Sequence, residues 1–217
     1  SPLIVDAFPN EQIYSDDDLA ENPYYSDSAI GGGYQIIGVQ EAWNGIAYYK
    51  PKFSKVKVGI VDDGIYLEDR QFDNTDINTS LKIYPIPPDN RLFKQKEGIE
   101  KIAGSHGTGV ANMLAADTNE EGLQGIACIL RDDLCIFMIN ITGKGKPFVT
   151  SSLLAFQFEI QNGSSIITCS MGKTGEVSEG AAEMYDKFFS DLSEDDPFED
   201  VLFIFSAGNQ GEAIEGY

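Results

Sequence analysis

The chain has 217 residues, 42% of them hydrophobic, which is enough to bury one sizeable core, and no composition shift divides it into two domains. Thirty-five acidic and fifteen basic residues give a formal net charge of −20. Such a charge repels nucleic-acid phosphates and anionic membranes, so we expect neither as a partner. No apolar run approaches the length of a membrane span, and one histidine with three cysteines in no CxxC pair argues against a zinc site.

The amino-terminal stretch is rich in Asp, Asn, Pro, Tyr and Gly and contains an acidic run and three consecutive glycines. This composition is typical of irregular structure, so we assign residues 1–38 to an acidic amino-terminal arm and residues 39–217 to one domain. From Val39 onwards, apolar residues recur at helical spacing until Pro51, which predicts a short packed helix.

Apolar segments alternate with helical stripes through the rest of the chain. Nearly continuous apolar runs predict buried strands at 56–61, 134–140, 165–170 and 201–211, the last running into a glycine turn. Helical spacing predicts helices at 106–116, 151–160 and 178–192. We interpret the proline-containing residues between the first strand and the first of these helices as a long polar connection. Strands that alternate with helices imply an α/β fold, a doubly wound parallel sheet with helices on both faces.

Polar side chains follow the predicted strands at the edge where such sheets form their sites. Asp62 and Asp63 follow the first strand and Asn209 follows the last, while His106 lies near a helix N-terminus between glycines. A buried carboxylate can orient an imidazole, the imidazole can remove a proton from a nucleophile, and an amide can donate to an oxyanion. We therefore expect Asp62, His106 and Asn209 to converge and to take these three roles.

Each of these motifs has a structural explanation when taken alone. Asp-Asp-Gly is most often a turn, Gly-Asn-Gln-Gly is most often a loop, and a single histidine flanked by glycines can be a capping or core residue. A third interpretation, a nucleotide site at residues 104–109, lacks both the P-loop lysine and the G-x-G-x-x-G spacing. The combination of three motifs in one order is therefore what favours catalysis.

Together, the motifs resemble the catalytic domain of subtilisin-like serine proteases over residues 42–211. VGIVDDGI is similar to the aspartate motif of that family, HGTGVANMLAA to its histidine motif and FSAGNQG to its oxyanion-asparagine motif. The resemblance implies a serine endopeptidase that acts on peptide or protein substrates through an Asp-His-Ser triad. It also implies that Ser170, Met171 and Gly172 form the edge that pairs with the substrate backbone.

The doubled Asp62-Asp63 and the preceding EAW most resemble the kexin and furin branch of the family. In that branch, the second aspartate favours a basic residue next to the scissile one. Two features depart from the branch: the histidine motif lacks its Arg-Cys, and Asn112 replaces the usual Gly or Ser. The resemblance thus implies a substrate-binding role for Asp63.

A calcium loop is also implied by the resemblance, with Asp117, Asn119, Glu121 and Leu123 as its candidate ligands. Calcium takes several oxygen ligands and favours carboxylates. The matching position in the loop after the first strand is about Gln71 rather than an aspartate. We therefore expect no required cofactor and keep calcium as an optional ligand.

The family's nucleophile lies in a Gly-Thr-Ser motif after the asparagine, and these residues contain no such motif. We expect the chain to be the amino-terminal portion of the domain, incomplete on its carboxy-terminal side and inactive alone. A carboxy-terminal fragment that carries the serine would then cover an open core face and sheet edge. The alternative is a catalytically inactive, protease-like binding or scaffold protein. The resemblance favours a secreted or extracellular location.

Overall fold

A computed structural model describes residues 31–52, 54–66, 76–82, 105–116, 124–141, 149–172, 178–194 and 200–208. The chain divides into two compact units, Ser1–Phe53 and Ser54–Tyr217. Among the helices in these ranges, none combines the length and the hydropathy needed to cross a bilayer.

The first unit contains two helices, α1 (Gly31–Ile36) and α2 (Val39–Tyr49), separated by the left-handed Gly38. The predicted helix at Val39 is confirmed, and its C-cap residue, Lys50, directly precedes the proline. A helix within the segment expected to be irregular is a difference from the sequence analysis. Its Tyr34 ring is buried and lies 6.3 Å from the Trp43 ring in an edge-to-face contact, and this packing offsets the cost of the helical glycines.

The second unit is built on a five-stranded parallel sheet. The strands are β1 (Val56–Asp62), β2 (Asp76–Lys82), β3 (Leu134–Asn140), β4 (Ile166–Cys169) and β5 (Leu202–Phe205), in the spatial order β2-β3-β1-β4-β5. All four predicted strands are confirmed. The fifth, β2, falls in the stretch interpreted as a polar connection, because an edge strand with the sequence DINTSLK has no continuous apolar run.

One face of the sheet is covered by α4 (Val149–Gln161) and α5 (Glu179–Glu194). Phe156 of α4 is fully buried with Val61 and Ile139, and Phe188 of α5 packs against this cluster. The other face is covered by α3 (Ser105–Ala115), whose buried alanines pack with Ile60 and other residues of β1 and β3. The sheet thus carries helices on both faces, which confirms the predicted doubly wound α/β fold.

α4 approaches the sheet closely at Gly59, where a Cβ would lie 2.6 Å from the carboxyl carbon of Glu159. The Glu159 side chain is fully buried, and its Oε2 accepts a hydrogen bond of 2.6 Å from the Ser164 hydroxyl. Its Oε1 has no hydrogen-bond partner. Burial therefore raises the pKa of Glu159 to about 8.

The strand predicted as the last buried one is half open, which corrects the sequence analysis. Phe203 of β5 packs toward α4 and α5, and Phe205 on the same face is 48% exposed, while Leu202 and Ile204 are 56% and 46% exposed. Successive side chains of a strand point to opposite faces, so these two residues lie on the α3 side of the sheet. α3 packs on β1 and β3, and within the described ranges no element covers this face at β5.

Candidate active site

The end of β1 and the start of α3 bring the predicted acid and base together. Asp62, the last residue of β1, has a fully buried side chain, and His106 is the second residue of α3. The His106 Nδ1 atom lies 2.8 Å from Asp62 Oδ1 and 3.0 Å from Oδ2, while 56% of the His106 side chain is exposed. The carboxylate therefore holds one ring nitrogen inside the protein while the imidazole stays accessible from solvent.

The electrostatics of this pair suit a general base. The hydrogen bond and negative charge of Asp62 raise the pKa of His106 above its usual 6.5. Burial raises the pKa of Asp62, and the hydrogen bonds from His106 and from the Asp63 backbone N–H oppose that change. When Nδ1–H donates to the carboxylate, Nε2 carries the lone pair that can take a proton from a nucleophile.

Two further hydrogen bonds tie the loop after β1 to the first turn of α3. The Gly107 N–H donates to Asp63 Oδ1 at 2.7 Å, and the Tyr66 N–H donates to Thr108 Oγ1 at 2.9 Å. Gly107 has no room for a side chain, since a Cβ there would overlap the Gly64 carbonyl oxygen and lie 3.0 Å from Asp63 Oδ1. Each of the residues 106, 107 and 108 thus bonds to the last residue of β1 or to the segment that follows it, which fixes the position of the imidazole.

These linking contacts were missed by the sequence analysis. Gly107 and Thr108 belong to the histidine motif, and the sequence analysis gave neither of them a hydrogen bond. The signal for a hydrogen bond from Gly107 to Asp63 was the acidic pair itself, because an aspartate can cap any helix start that lies within reach. Nothing in the sequence indicated that this particular helix start lies within its reach.

The predicted substrate edge, Ser170 to Gly172, directly follows β4. Since β4 pairs with β1 in parallel, with Cys169 opposite Val61, these residues leave the sheet at the same edge as Asp62. Cys169 Sγ donates to the Met171 carbonyl oxygen at 3.6 Å, and burial raises the pKa of its thiol to about 11, so this cysteine is no nucleophile at neutral pH.

Several predicted site residues lie outside the described residues. Asn209 follows the last described residue of the β5 segment, Gly208, whose φ is 79°. The candidate calcium ligands Asp117, Asn119, Glu121 and Leu123 also lie outside. The structure therefore joins Asp62, Asp63 and His106 and leaves the other roles as predictions.

In the described part of the chain, one group of His, Cys, Asp and Glu side chains lies close enough together to bind a metal ion, namely Asp62, Asp63 and His106. The potential ligand atoms of Asp62, Asp63 and His106 lie within 4.8 Å of one another. Two of these groups are already bonded inside the protein, Nδ1 to Asp62 and Asp63 Oδ1 to Gly107. The geometry therefore fits an acid–base pair better than a metal centre.

Beside the imidazole lies an open, mostly apolar hollow of about 480 Å³ on the outer face of α3. Its lining includes His106, Gly109, Val110, Asn112 and Met113. Asn112 Oδ1 is a buried acceptor without a hydrogen-bond partner, and Met113 is 42% exposed. An unpartnered acceptor and an exposed thioether leave this face suited to a further contact.

Solved protease structures share the fold at low sequence identity. A lanthipeptide protease is 18% identical with a TM-score of 0.51, covering 78% of this chain and 44% of that protein. The self-cleaved protease domain of PatA is also 18% identical with a TM-score of 0.51, covering 74% and 52%. The psychrophilic subtilisin-like protease Apa1 from the Antarctic psychrotroph Pseudoalteromonas sp. AS-11 is 20% identical with a TM-score of 0.48, covering 72% and 32%.

The chain spans about half the length or less of the solved structures that it matches. No curated protein sequence gives a significant match. The model of the subtilase family matches residues 54–216, which is the second unit almost from end to end. With the buried aspartate, the histidine helix and the parallel sheet in place, the chain belongs to the subtilase family.

Proposed function

We propose that the chain supplies the acid–base pair and an oxyanion donor of a serine endopeptidase. The observation that carries the proposal is the Asp62–His106 pair, in which a buried carboxylate holds Nδ1 at 2.8 Å and the ring remains accessible. His106 Nε2 takes the proton of the attacking hydroxyl and returns it to the leaving amine. Asp62 stabilises the imidazolium formed between these steps, and Asn209 donates to the oxyanion.

The reaction is acyl transfer in two stages. In the first stage, the serine oxygen bonds to the scissile carbonyl carbon, the C–N bond breaks, and the amine leaves with the proton held by His106. In the second stage, a water molecule attacks the acyl-enzyme and gives a proton to the same imidazole. The ester bond to the serine oxygen then breaks, His106 returns the proton to that oxygen, and the acid product leaves. The residues after β4, Ser170 to Gly172, bind the substrate backbone next to the acid–base pair.

The hydroxyl nucleophile is supplied by a segment outside these 217 residues, which contain no Gly-Thr-Ser motif. Two surfaces support this part of the proposal. The hollow beside His106 is open, and the α3 side of the sheet is uncovered at Leu202 and Ile204. A parallel sheet normally buries both faces, so a segment that carries the serine can cover these apolar residues and reach the imidazole.

A fluorophosphonate probe tests the proposal, because it reacts with an activated serine hydroxyl. We expect labelling in an assembly of this chain with the segment that follows it, loss of labelling with His106→Ala, and none in the 217-residue chain alone. Mass spectrometry of the labelled peptide then identifies the serine. An assembly that never reacts would favour the protease-like scaffold, and a labelled serine within the 217 residues would refute the external nucleophile.

We also propose a preference for substrates with a basic residue next to the scissile one. A chain of formal charge −20 attracts basic peptides, and Asp63 lies directly beside the acid–base pair. The same preference is implied by the kexin and furin branch that the doubled aspartate resembles. A peptide library decides the matter: equal cleavage beside acidic and basic residues would leave the negative charge without a role in selection.

A further inference from the structure

At least one carboxylate oxygen of Asp63 accepts a hydrogen bond from within the protein. Asp63 Oδ1 accepts a 2.7 Å hydrogen bond from the Gly107 N–H, one of the first backbone donors of α3. Helix N–H groups at this end have no partner within the helix, so an external acceptor satisfies one of them. The first turn of α3 carries no acidic residue, and the acceptor therefore comes from a different element.

Asp63 is linked to both members of the acid–base pair, to Asp62 through its backbone and to the residue after His106 through its carboxylate. Asp63 follows Asp62, and its own N–H donates to Asp62 Oδ1 at 2.7 Å. On the other side of the contact, Gly107 follows His106. A closed ring of hydrogen bonds and peptide bonds thus runs through Asp62, Asp63, Gly107 and His106, so movement of the α3 N-terminus away from β1 would lengthen both carboxylate contacts at once.

We propose that Asp63 is a positioning residue, whose carboxylate caps α3 and thereby holds His106 on Asp62. This role rests on the proposed proteolytic function and adds to the substrate preference proposed above. The two roles separate by substitution. Asp63→Asn keeps an oxygen acceptor for the Gly107 N–H and removes the charge, whereas Asp63→Ala removes both.

The charge of Asp63 also acts on the imidazole. Asp62 is the main cause of the raised His106 pKa, and the Asp63 charge raises it further. α3 carries no ionisable group besides His106. At the end of β4, the buried Cys169 thiol lies near enough for the Asp62 charge to raise its pKa further. Loss of the Asp63 charge therefore lowers the His106 pKa, and loss of the helix cap lowers it again by loosening the Asp62 contact.

NMR titration of the imidazole tests the proposal without any need for activity. His106 is the only histidine in these residues, so its Cε1–H resonance after histidine labelling is assigned without ambiguity. We expect the His106 pKa to fall in the order wild type, Asp63→Asn, Asp63→Ala. The Gly107 amide resonance should stay near its wild-type position in Asp63→Asn and move in Asp63→Ala. Should Asp63→Ala fail to fold, Asp63→Leu, which has a similar shape and no acceptor, takes its place.

Kinetics of the active assembly add a second test. Misplacing a catalytic group by about 1 Å lowers turnover by roughly 10²-fold, so Asp63→Ala should lose roughly 10- to 100-fold in kcat. Asp63→Asn, which keeps the acceptor, should lose less of kcat than Asp63→Ala, and both substitutions should raise KM for basic substrates because both remove the charge. Asp191→Asn, an exposed site on α5 that pairs with Lys187, is the control for loss of one charge.

Equal pKa values and equal kcat values for Asp63→Asn and Asp63→Ala would overturn the positioning role. Its failure is distinguishable from that of the proposed function. An assembly without peptidase activity would refute the function, while the order of the three imidazole pKa values would still show whether Asp63 positions His106.

Discussion

The central strand β1 and the edge strand β5 of the same sheet differ in how completely this chain buries their side chains. At the centre, β1 is buried on both faces, and the carboxylate of its last residue, Asp62, contacts His106. The neighbouring hydrogen bond from Gly107 to Asp63 also lies between described residues. At the edge, β5 packs Phe203 against α5 on one face and exposes Leu202 and Ile204 on the other. The acid–base pair is therefore organised by contacts within this chain, while apolar side chains of β5 stay exposed.

The two regions correspond to two kinds of contribution to catalysis, orientation of the imidazole and binding of its partners. Orientation of the imidazole depends on backbone positions that the sheet and α3 hold rigidly, so it is set before any substrate binds. We propose that nucleophile and substrate bind on the exposed side, where a hollow and an uncovered strand face solvent. Substitutions at the centre should therefore change turnover, and substitutions at the edge should change assembly.

The largest effect should come from the centre, with His106→Ala in the active assembly. Turnover should fall by about 10⁴-fold, the upper end of what general acid–base catalysis contributes, because no second histidine is present in these residues. Single-turnover kinetics with a peptide substrate measure the loss. Turnover within a few-fold of wild type would remove the imidazole from the mechanism, and Lys187→Ala on α5 serves as a distant control.

Asn209→Ala should have the next largest effect, because it removes the donor that we propose for the oxyanion. The expected loss of about 10²–10³ in kcat is the known cost of removing the oxyanion-hole asparagine from subtilisin, a member of the same family, and is transferred from there. KM should change little, since the interaction forms in the transition state. A loss confined to KM would instead assign Asn209 to substrate binding.

A third prediction concerns the buried Glu159 beneath β1. Its pKa of about 8 in the folded chain lies above the ordinary 4.5, so the folded state retains a proton that the unfolded state has lost. The stabilisation is complete below about pH 4.5 and declines as the pH rises through about 8. The free energy of unfolding should thus fall by on the order of 3 kcal/mol between pH 5 and pH 8.

Glu159→Gln should remove most of that decline, because an amide stays neutral and still accepts the Ser164 hydrogen bond. Urea unfolding at several pH values measures the effect, with Glu183→Gln, an exposed acid on α5, as the matched control. A decline that is equally steep in Glu159→Gln and wild type would show that this carboxyl is not its source.

The centre of the molecule was predictable from the sequence because simple physical rules govern it. Continuous β-branched and apolar runs indicate strands covered on both faces, and such strands end at one common edge. Asp62 at the end of β1 and His106 at the start of a helix were therefore expected to meet, and the structure places them 2.8 Å apart. Helices on both faces follow from the alternation of strands and helices.

The rest depended on tertiary context that a local pattern does not contain. β2 is a polar edge strand, so it lacks the apolar run by which the other strands were recognised. The hydrogen bond from Gly107 to Asp63 joins residues 44 positions apart. β5 has the composition of a buried strand, yet its burial is a property of what packs on it, and the sequence of the strand alone does not specify that neighbour.

The smallest predicted effect concerns the exposed side of β5. If a following segment covers the α3 side of β5, then Ile204, now 46% exposed, becomes buried in the assembly. Burial of the half of this side chain that is still exposed contributes about 0.7–1.5 kcal/mol, so Ile204→Asp should weaken association roughly 3- to 10-fold. Stability of the 217-residue chain alone should fall by about 1 kcal/mol, because the other half of the side chain is already buried there.

Met184→Asp is the matched control, since Met184 is 41% exposed on α5, the helix on the opposite face of the sheet. Titration of the chain with the following segment, monitored by light scattering or calorimetry, gives both dissociation constants. Equal weakening by the two substitutions would point to a general effect of added charge. Unchanged association with Ile204→Asp would mean that the exposed side of β5 is not the surface that the segment covers, even though the acid–base pair beside it is complete.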